Sequence, residues 1–264
     1  MTGKETVDVE VRILGAHQSE SRDFHFTGFL VDERLAIDAG SLATGLSLTD
    51  QRKVQHVLIT HRHWDHVKDL AGFGFNRLHS GPIDVYCTDE VRRIVSANLL
   101  NPDYWLNFFD GPDPKEAVFR HQAVAPNSQF AVDHYQVTTV PVNHSVPTLG
   151  YQIVDSAGRA LYYTGDNGPG CGQHWIAARP DVLITEVTYS NAFAEESRRF
   201  FHLCPSQLKD ALEVFRGARG YLPRVIAMHI NSDYEAAIRR EIADLADELG
   251  ASIEVAHEGM VVSL

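Results

Sequence analysis

On a scale of roughly 150 residues per domain, the 264 residues amount to one large domain or two small ones, and 44% hydrophobic residues suffice for a sizeable core. Lys and Arg number 23 against 35 Asp and Glu, a formal net charge of -12. That balance counts against broad electrostatic capture of a nucleic-acid polymer or an anionic membrane. A small phosphate-bearing substrate stays open, because a bound metal supplies local positive charge. The 3 cysteines, Cys87, Cys171 and Cys204, are scattered without a CxxC pair, whereas histidines number 14. Neither a thiolate zinc site nor a disulfide framework is indicated, which fits a reducing cytoplasm.

Residues 1–10 carry Lys4, Glu5, Asp8 and Glu10 with no apolar run of a signal peptide, and no stretch reaches the ~20 apolar residues of a membrane span. The chain therefore reads as soluble, cytoplasmic and without a membrane partner. Strands are predicted over 7–13, where apolar and charged residues alternate, then over 24–31, 35–37 and 54–59. Helices follow over 67–75 and 89–100, with Asp89 near the N-cap of the second. The stretch 101–115, rich in Pro, Asp and Gly, is a loop. Strands return over 136–140, 149–154 and 159–164, and Gly-rich 167–172 reads as another loop. The last quarter alternates: strand 182–187, a helix from Pro205, strand 225–228, helix 234–249 and strand 252–255. Ile238, Ile242, Leu245 and Leu249 share one face of the late helix, and Gly250 suits its stop. With no linker or repeat, the reading is one α/β layered domain over 1–264.

The sharpest signal is Thr60-His61-Arg62-His63-Trp64-Asp65-His66, placing four metal-capable side chains within six residues after an apolar strand. In extended chain, side chains at i and i+2 face the same way, so His61 and His63 can clamp one ion. As the chain turns into a helix, Asp65 and His66 can point to a second. Three further candidates each end a strand: His144 after Val140-Pro141-Val142-Asn143, Asp166 after Tyr163-Thr164-Gly165, and His229 after Val225-Ile226-Ala227-Met228. Singly these are ordinary polar residues; together they describe a site along one sheet edge.

HxHxDH, a later lone His, a strand-Gly-Asp and a final strand-His resemble the metallo-β-lactamase fold over nearly the whole chain. Phe29-Leu30-Val31-Asp32, Ile37-Asp38-Ala39-Gly40, Asn143-His144-Ser145-Val146-Pro147-Thr148 and Tyr163-Thr164-Gly165-Asp166 are most similar to its class II cyclic-nucleotide phosphodiesterase group. Trp64 stands where that group has a smaller apolar residue. The resemblance implies a four-layer αββα sandwich. It implies a first metal on His61, His63 and His144, a second on Asp65, His66 and His229, and Asp166 bridging both. The cofactors are then two divalent ions, Zn2+ first, with Fe or Mn as alternatives. The implied chemistry is metal-assisted hydrolysis of a small anionic phosphodiester, cyclic nucleotides first, with Asp65, Asp166 and His202 as catalytic residues.

His202, before the Pro205 helix, resembles a histidine placed beside the metals in phosphodiesterases, where it binds phosphate or protonates the leaving oxygen. The competing reading is a helix-entry residue that caps or packs. Asp38 either orients the ligand loop or is an acidic turn residue beside Gly40. The aromatic stretch 101–109 reads first as a core plug or a homodimer contact, and second as a pocket wall for a nucleobase. His17, His25, His56, His79, His121, His134, His174 and His257 lack supporting context, although His17 lies in a turn that can approach the metals. The same ligands serve a tRNase Z-like nuclease, a lactone, thioester or β-lactam hydrolase, or a non-hydrolytic di-iron oxygen-binding or sensor protein.

Overall fold

The computed structural model describes residues 9–110 and 117–264, which build two seven-stranded sheets. The first sheet takes β1 (Glu10–Gly15), β2 (Gly28–Val31), β3 (Leu35–Ile37), β4 (His56–Leu58), β5 (Ile83–Cys87) and β6 (Phe119–Ala123) in that order. The second is β7 (Gln129–Val132), β8 (Tyr135–Val142), β9 (Thr148–Val154), β10 (Ala160–Tyr163), β11 (Val182–Glu186), β12 (Arg224–Met228) and β13 (Ile253–Val255). The chain then returns to the first sheet, where β14 (Val261–Ser263) pairs antiparallel with β1. Strands β3 to β6 run parallel, as do β10 to β13.

Alternation along the strands sorts side chains into layers. Phe29, Val31, Leu35 and Ile37 meet Tyr151, Tyr163, Ile226 and Met228 between the sheets. The intervening Leu30, Ala36 and Val57 face outward, under α1 (Leu48–Gln51), α2 (Trp64–Val67), α3 (Leu70–Asn76) and α4 (Asp89–Asn98). On the far side, Leu183, Val225 and Ala227 pack under α5 (Gly172–Ala178), α7 (Pro205–Arg219) and α8 (Glu235–Leu249), with α6 (Ala194–Phe200) preceding α7. Strands buried on both faces need continuous apolar runs, which Gly28–Val31 and Val182–Glu186 largely supply. The four-layer αββα sandwich expected from the sequence is the observed fold. In α8, Ile238, Ile242 and Leu245 are the buried face, each contributing about 1.5–3 kcal/mol of burial, and Gly250 ends the helix at φ 59°.

Several boundaries differ from expectation. The helix expected over 67–75 starts at Trp64 and breaks at Lys68 and Asp69. The Asp69 carboxylate accepts the N–H groups of Ala43 and Thr44 at 2.7 and 2.8 Å, pinning the break to the neighbouring loop. Asp89 is near the N-cap of α4 as expected, directly after Thr88, which caps the helix by accepting from Val91 N. Strand β2 starts at Gly28, because Ser21 Oγ accepts from the backbones of Asp23 and Phe24 and makes a turn there. Of the strand expected over 7–13, residues 7 and 8 lie outside the described residues, as do 111–115 of the 101–115 loop. Phe108 and Phe109 plug the core against Phe119, and a Cβ on Gly74 would meet the Phe108 ring at 2.4 Å. Tyr104, Trp105 and Leu106 stay exposed over α3, where Trp105 Nε1 donates to Ala71 O.

His17 is buried in a structural contact. Glu258, just before β14, accepts from His17 Nδ1 at 2.7 Å and His25 N at 3.0 Å, tying the end of the chain to the β1–β2 connection. Burial opposes the charge on Glu258, yet the bonds from His17 and His25 hold it down at about 2 against an ordinary 4.5. A carboxylate depressed on folding stabilises above its unfolded value, and that contribution is lost as pH falls through the folded one. Glu258→Gln is expected to cost about 1–2 kcal/mol at neutral pH, shrinking as the pH drops from 4.5 towards 2. Urea denaturation across that range measures it. A deficit independent of pH would show that the carboxylate charge is not what stabilises.

Candidate metal centre

Every candidate ligand sits just beyond the C-terminal end of a strand. β8, antiparallel to β9, which is antiparallel to β10, points the same way as the parallel β10 to β12. His144, Asp166 and His229 therefore leave the second sheet at one edge. β4 delivers His61 and His63 from the first sheet, and the short helix α2 carries Asp65 and His66. The two edges meet where Leu149 N donates to Thr60 O at 3.1 Å. Gly40 lets the turn after β3 press against the ligand helix α2, since a Cβ there would lie 2.0 Å from Asp65 O. Gly165 holds φ +62° against Thr60, a conformation suited to glycine. Asp38 and His229 hold φ 56° and 59° without being glycine, strain of order 1–3 kcal/mol each that the surrounding bonds must offset.

Two donor sets share Asp166: His61, His63 and His144 on one side, Asp65, His66 and His229 on the other. Within each set the donor atoms lie within 4.8 Å of one another. Asp166 Oδ2 is 3.6 Å from His61 Nε2, 3.7 Å from His144 Nε2 and 3.5 Å from His229 Nε2, while Oδ1 is 3.2 Å from His66 Nε2. Asp65 Oδ2 lies 3.0 Å from His229 Nε2. The sequence reading thus grouped residues that the fold brings into one cluster, with the division into two sets that the resemblance implied.

The other nitrogen of several imidazoles is held from behind. Thr60 Oγ1 lies within hydrogen-bond reach of both Asp38 oxygens, and 3.0 Å from His61 Nδ1. With its proton given to Asp38, Thr60 accepts from His61 Nδ1–H and leaves Nε2 as the lone-pair atom. Asp38 Oδ2 also faces His66 Nδ1 at 2.7 Å. On the opposite sheet, Thr188 donates to Glu186 Oε2 at 2.8 Å and faces His229 Nδ1 at 2.8 Å, a second threonine relay built the same way. His144 Nδ1 faces Phe201 O at 3.1 Å. Such outer partners fix the tautomer and orientation of a metal-binding imidazole. Asp38 thereby takes the orienting role that its sequence context left open.

The electrostatics match a site that takes cations. Burial, reinforced by neighbouring histidines, holds His61 well below its usual range and His63 down at about 4, so both are neutral ligands. Burial likewise lowers His144. For Asp166, burial acts against the charge, but His229, His66 and His61 outweigh it and hold the carboxyl well below its ordinary range. For His66, burial is outweighed by Asp166, Asp38 and Asp65, which raise it. His61 Nε2, His66 Nε2 and Asp166 Oδ1 are buried without a hydrogen-bond partner. Such atoms cost about 1–3 kcal/mol each when unsatisfied. Nitrogen and carboxylate donors gathered inward in this way, with His66 giving up its proton on loading, fit divalent ions of the zinc, iron and manganese type.

A cavity of about 390 Å³ opens from this cluster, lined also by Gln18, Ser145, Tyr189, Arg199, Phe200, Phe201 and His202. His202 is buried, its Nδ1 3.4 Å from Glu186 Oε1 and 3.3 Å from Thr188 Oγ1. Burial opposes its charge, yet Glu186, with Asp166 and Asp65 beyond, pushes His202 up to about 9. Sequence reasoning passed over Glu186, although a carboxylate closing the apolar run Val182-Leu183-Ile184-Thr185 was a visible signal. Arg199, Phe200 and Tyr189 carried none. Neither Trp64, exposed at the start of α2, nor residues 101–109 line the cavity, so the pocket-wall reading of that stretch fails.

Binding a cation at the second donor set must displace the proton that Asp166, Asp38 and Asp65 favour on His66. Metal affinity is therefore expected to fall as pH falls, with protons released on loading, measurable by calorimetry in buffers of different ionisation enthalpy. Asp38→Asn is expected to weaken the affinity for the second ion about 10–100-fold. Unchanged affinity in that variant would separate Asp38 from metal binding.

Residues 34–230 match the family described as "Beta-lactamase superfamily domain". Among curated relatives, Ribonuclease Z of Leuconostoc mesenteroides is 22% identical, over 81% of this chain and 82% of its own. Unliganded yeast PDE1 superposes with TM-score 0.81 at 15% identity, covering 98% of this chain and 100% of its own. The metallo-β-lactamase-fold protein YhfI from Bacillus subtilis gives 0.78 at 16% identity, covering 98% and 100%. With the family matched over most of its length and the fold shared end to end, the chain belongs to the β-lactamase superfamily domain family, as a metallo-β-lactamase-fold hydrolase.

Proposed function

We propose that this hydrolase is a dinuclear metal-dependent phosphodiesterase. The observation that carries the reading is His202 on the cavity wall beside the paired donor sets, backed by the buried Glu186 carboxylate. Two divalent ions, Zn2+ the first choice, would supply a nucleophilic water at neutral pH and neutralise the phosphate oxygens. His61, His63 and His144 would hold one, Asp65, His66 and His229 the other, with Asp166 between them. The chain's own part is to orient those ligands through Asp38, Thr60 and Thr188, and to manage a proton. His202 Nδ1 is committed to Glu186 and Thr188, which leaves Nε2 to give its proton to the departing oxygen. Glu186 favours the charged form of that imidazole, as an acid needs. A lactone or thioester hydrolase makes less use of this acid.

Among phosphodiesters, RNA ends take first place, because the Leuconostoc relative matched along four-fifths of both chains is a Ribonuclease Z. Cyclic nucleotides, the first expectation from sequence, are the second reading. A cavity of about 390 Å³ is within the roughly 300–1,000 Å³ range of small-molecule pockets, and the net charge of -12 opposes a long polyanion. Elemental analysis paired with a panel of aryl phosphodiesters, cyclic nucleotides and RNAs with a 3′ extension tests the reading. His202→Ala is expected to keep both metals while losing about 10²–10⁴-fold in turnover. Two colourless metals per chain with no phosphodiester cleaved would sink the proposal, and iron with visible absorbance and no turnover would favour a di-iron binding protein.

A further inference from the structure

The cavity lining holds one strongly basic side chain. Arg199, near the end of α6, is the sole Lys or Arg among the residues lining this cavity. Its guanidinium lies 5.4 Å from the centroid of the Phe200 ring, which also lines the cavity. Glu195 and Glu196 precede it on the same helix, and Glu195 stands at the i−4 position where a helical ion pair commonly forms. No carboxylate among the described residues comes within 4.0 Å of Arg199, and what sets it apart from the similarly unpaired Arg198 beside it is its place in the cavity lining. In a chain with 35 acidic residues, an arginine on a pocket wall without a carboxylate keeps its full donor capacity for something else.

The geometry points to Arg199 as a specificity-determining residue that receives a second anionic group of the substrate, one phosphate along from the phosphodiester at the metal cluster. This rests on the phosphodiesterase reading and narrows it. A cyclic nucleotide has a single phosphate, which the paired donor sets and His202 engage, and leaves Arg199 without a partner. A nucleic-acid end presents a further phosphate beyond the scissile one. The planar guanidinium, packed on Phe200, suits its oxygens. Tyr189 and Phe201, which also line the cavity, offer ring faces on which an intervening base can stack. One local cation also reconciles the relatives' RNA with the acidic surface: the grip is on the first few nucleotides, not on a long duplex.

The test uses metal-loaded wild type, Arg199→Ala and Arg199→Lys, with melting temperature and metal content recorded for each. Three substrates release p-nitrophenol: the p-nitrophenyl ester of thymidine 5′-phosphate, the same ester extended by one nucleotide through a phosphodiester, and its analogue extended through an uncharged methylphosphonate. Wild type is expected to favour the charged extension over the uncharged one about tenfold in kcat/KM, with the difference in KM. In Arg199→Ala that ratio falls to about one, and Arg199→Lys restores part of it. Calorimetry with the dinucleotide pTpT and with its methylphosphonate analogue gives the same comparison through Kd, without turnover. A wild-type ratio near one, or a ratio that survives Arg199→Ala, overturns the role of Arg199 while the phosphodiesterase reading stands. Failure of wild type to cleave any of the three overturns both.

Discussion

The structure turns on the buried carboxylate of Asp166, which faces four imidazole nitrogens at 3.2 to 3.7 Å. A single proton shared among them satisfies little of that lone-pair density, and water is excluded from most of it. Cations resolve the conflict: they supply charge to the carboxylate and accept lone pairs from nitrogens that have no hydrogen to share. The lowered values of His61, His63 and His144 and the raised value of His66, surrounded by three carboxylates, are two sides of one arrangement suited to cations.

Holding those donors in place falls to the sheets. Each sheet contributes a threonine whose hydroxyl is anchored on a buried carboxylate and faces the Nδ1 of a candidate ligand: Thr60 on Asp38 behind His61, Thr188 on Glu186 behind His229. The two relays lie on opposite sides of the cluster, one per sheet. Glu186 then serves two imidazoles, His229 through Thr188 and His202 directly. In the proposed phosphodiesterase, ligand orientation and proton delivery would be coupled through this one buried carboxylate.

Charge is organised on two scales. The whole chain is acidic, which deters long polyanions, while the cavity concentrates cation-binding donors, His202 and the unpaired Arg199. Short anionic ends fit that contrast better than an extended nucleic-acid surface does. The aromatic residues that line the cavity with Arg199 add stacking area, and the exposed aromatics Tyr104 and Trp105 belong to a different face over α3.

Spacing along the chain picked out the candidate donors, and the family resemblance divided them into two sets. HxHxDH places its donors by local geometry, because i and i+2 share a side in extended chain and the following turn is short. The lone His144, Asp166 and His229 were legible as polar residues closing apolar strands, and continuous apolar runs announced the buried sheets. Tertiary structure decided what depends on residues distant in sequence meeting at a sheet edge. Asp38 became an orienting residue because β3 and β4 are neighbours. His202 acquired a buried carboxylate partner because the loop before α7 passes Glu186 at the end of β11. Arg199 reached the cavity wall because α6 packs beside that loop, and no local pattern distinguishes it from Arg198 next to it. Polar edge strands such as β6 and β7 were likewise invisible, since their pairing comes from partners rather than from their own apolar pattern.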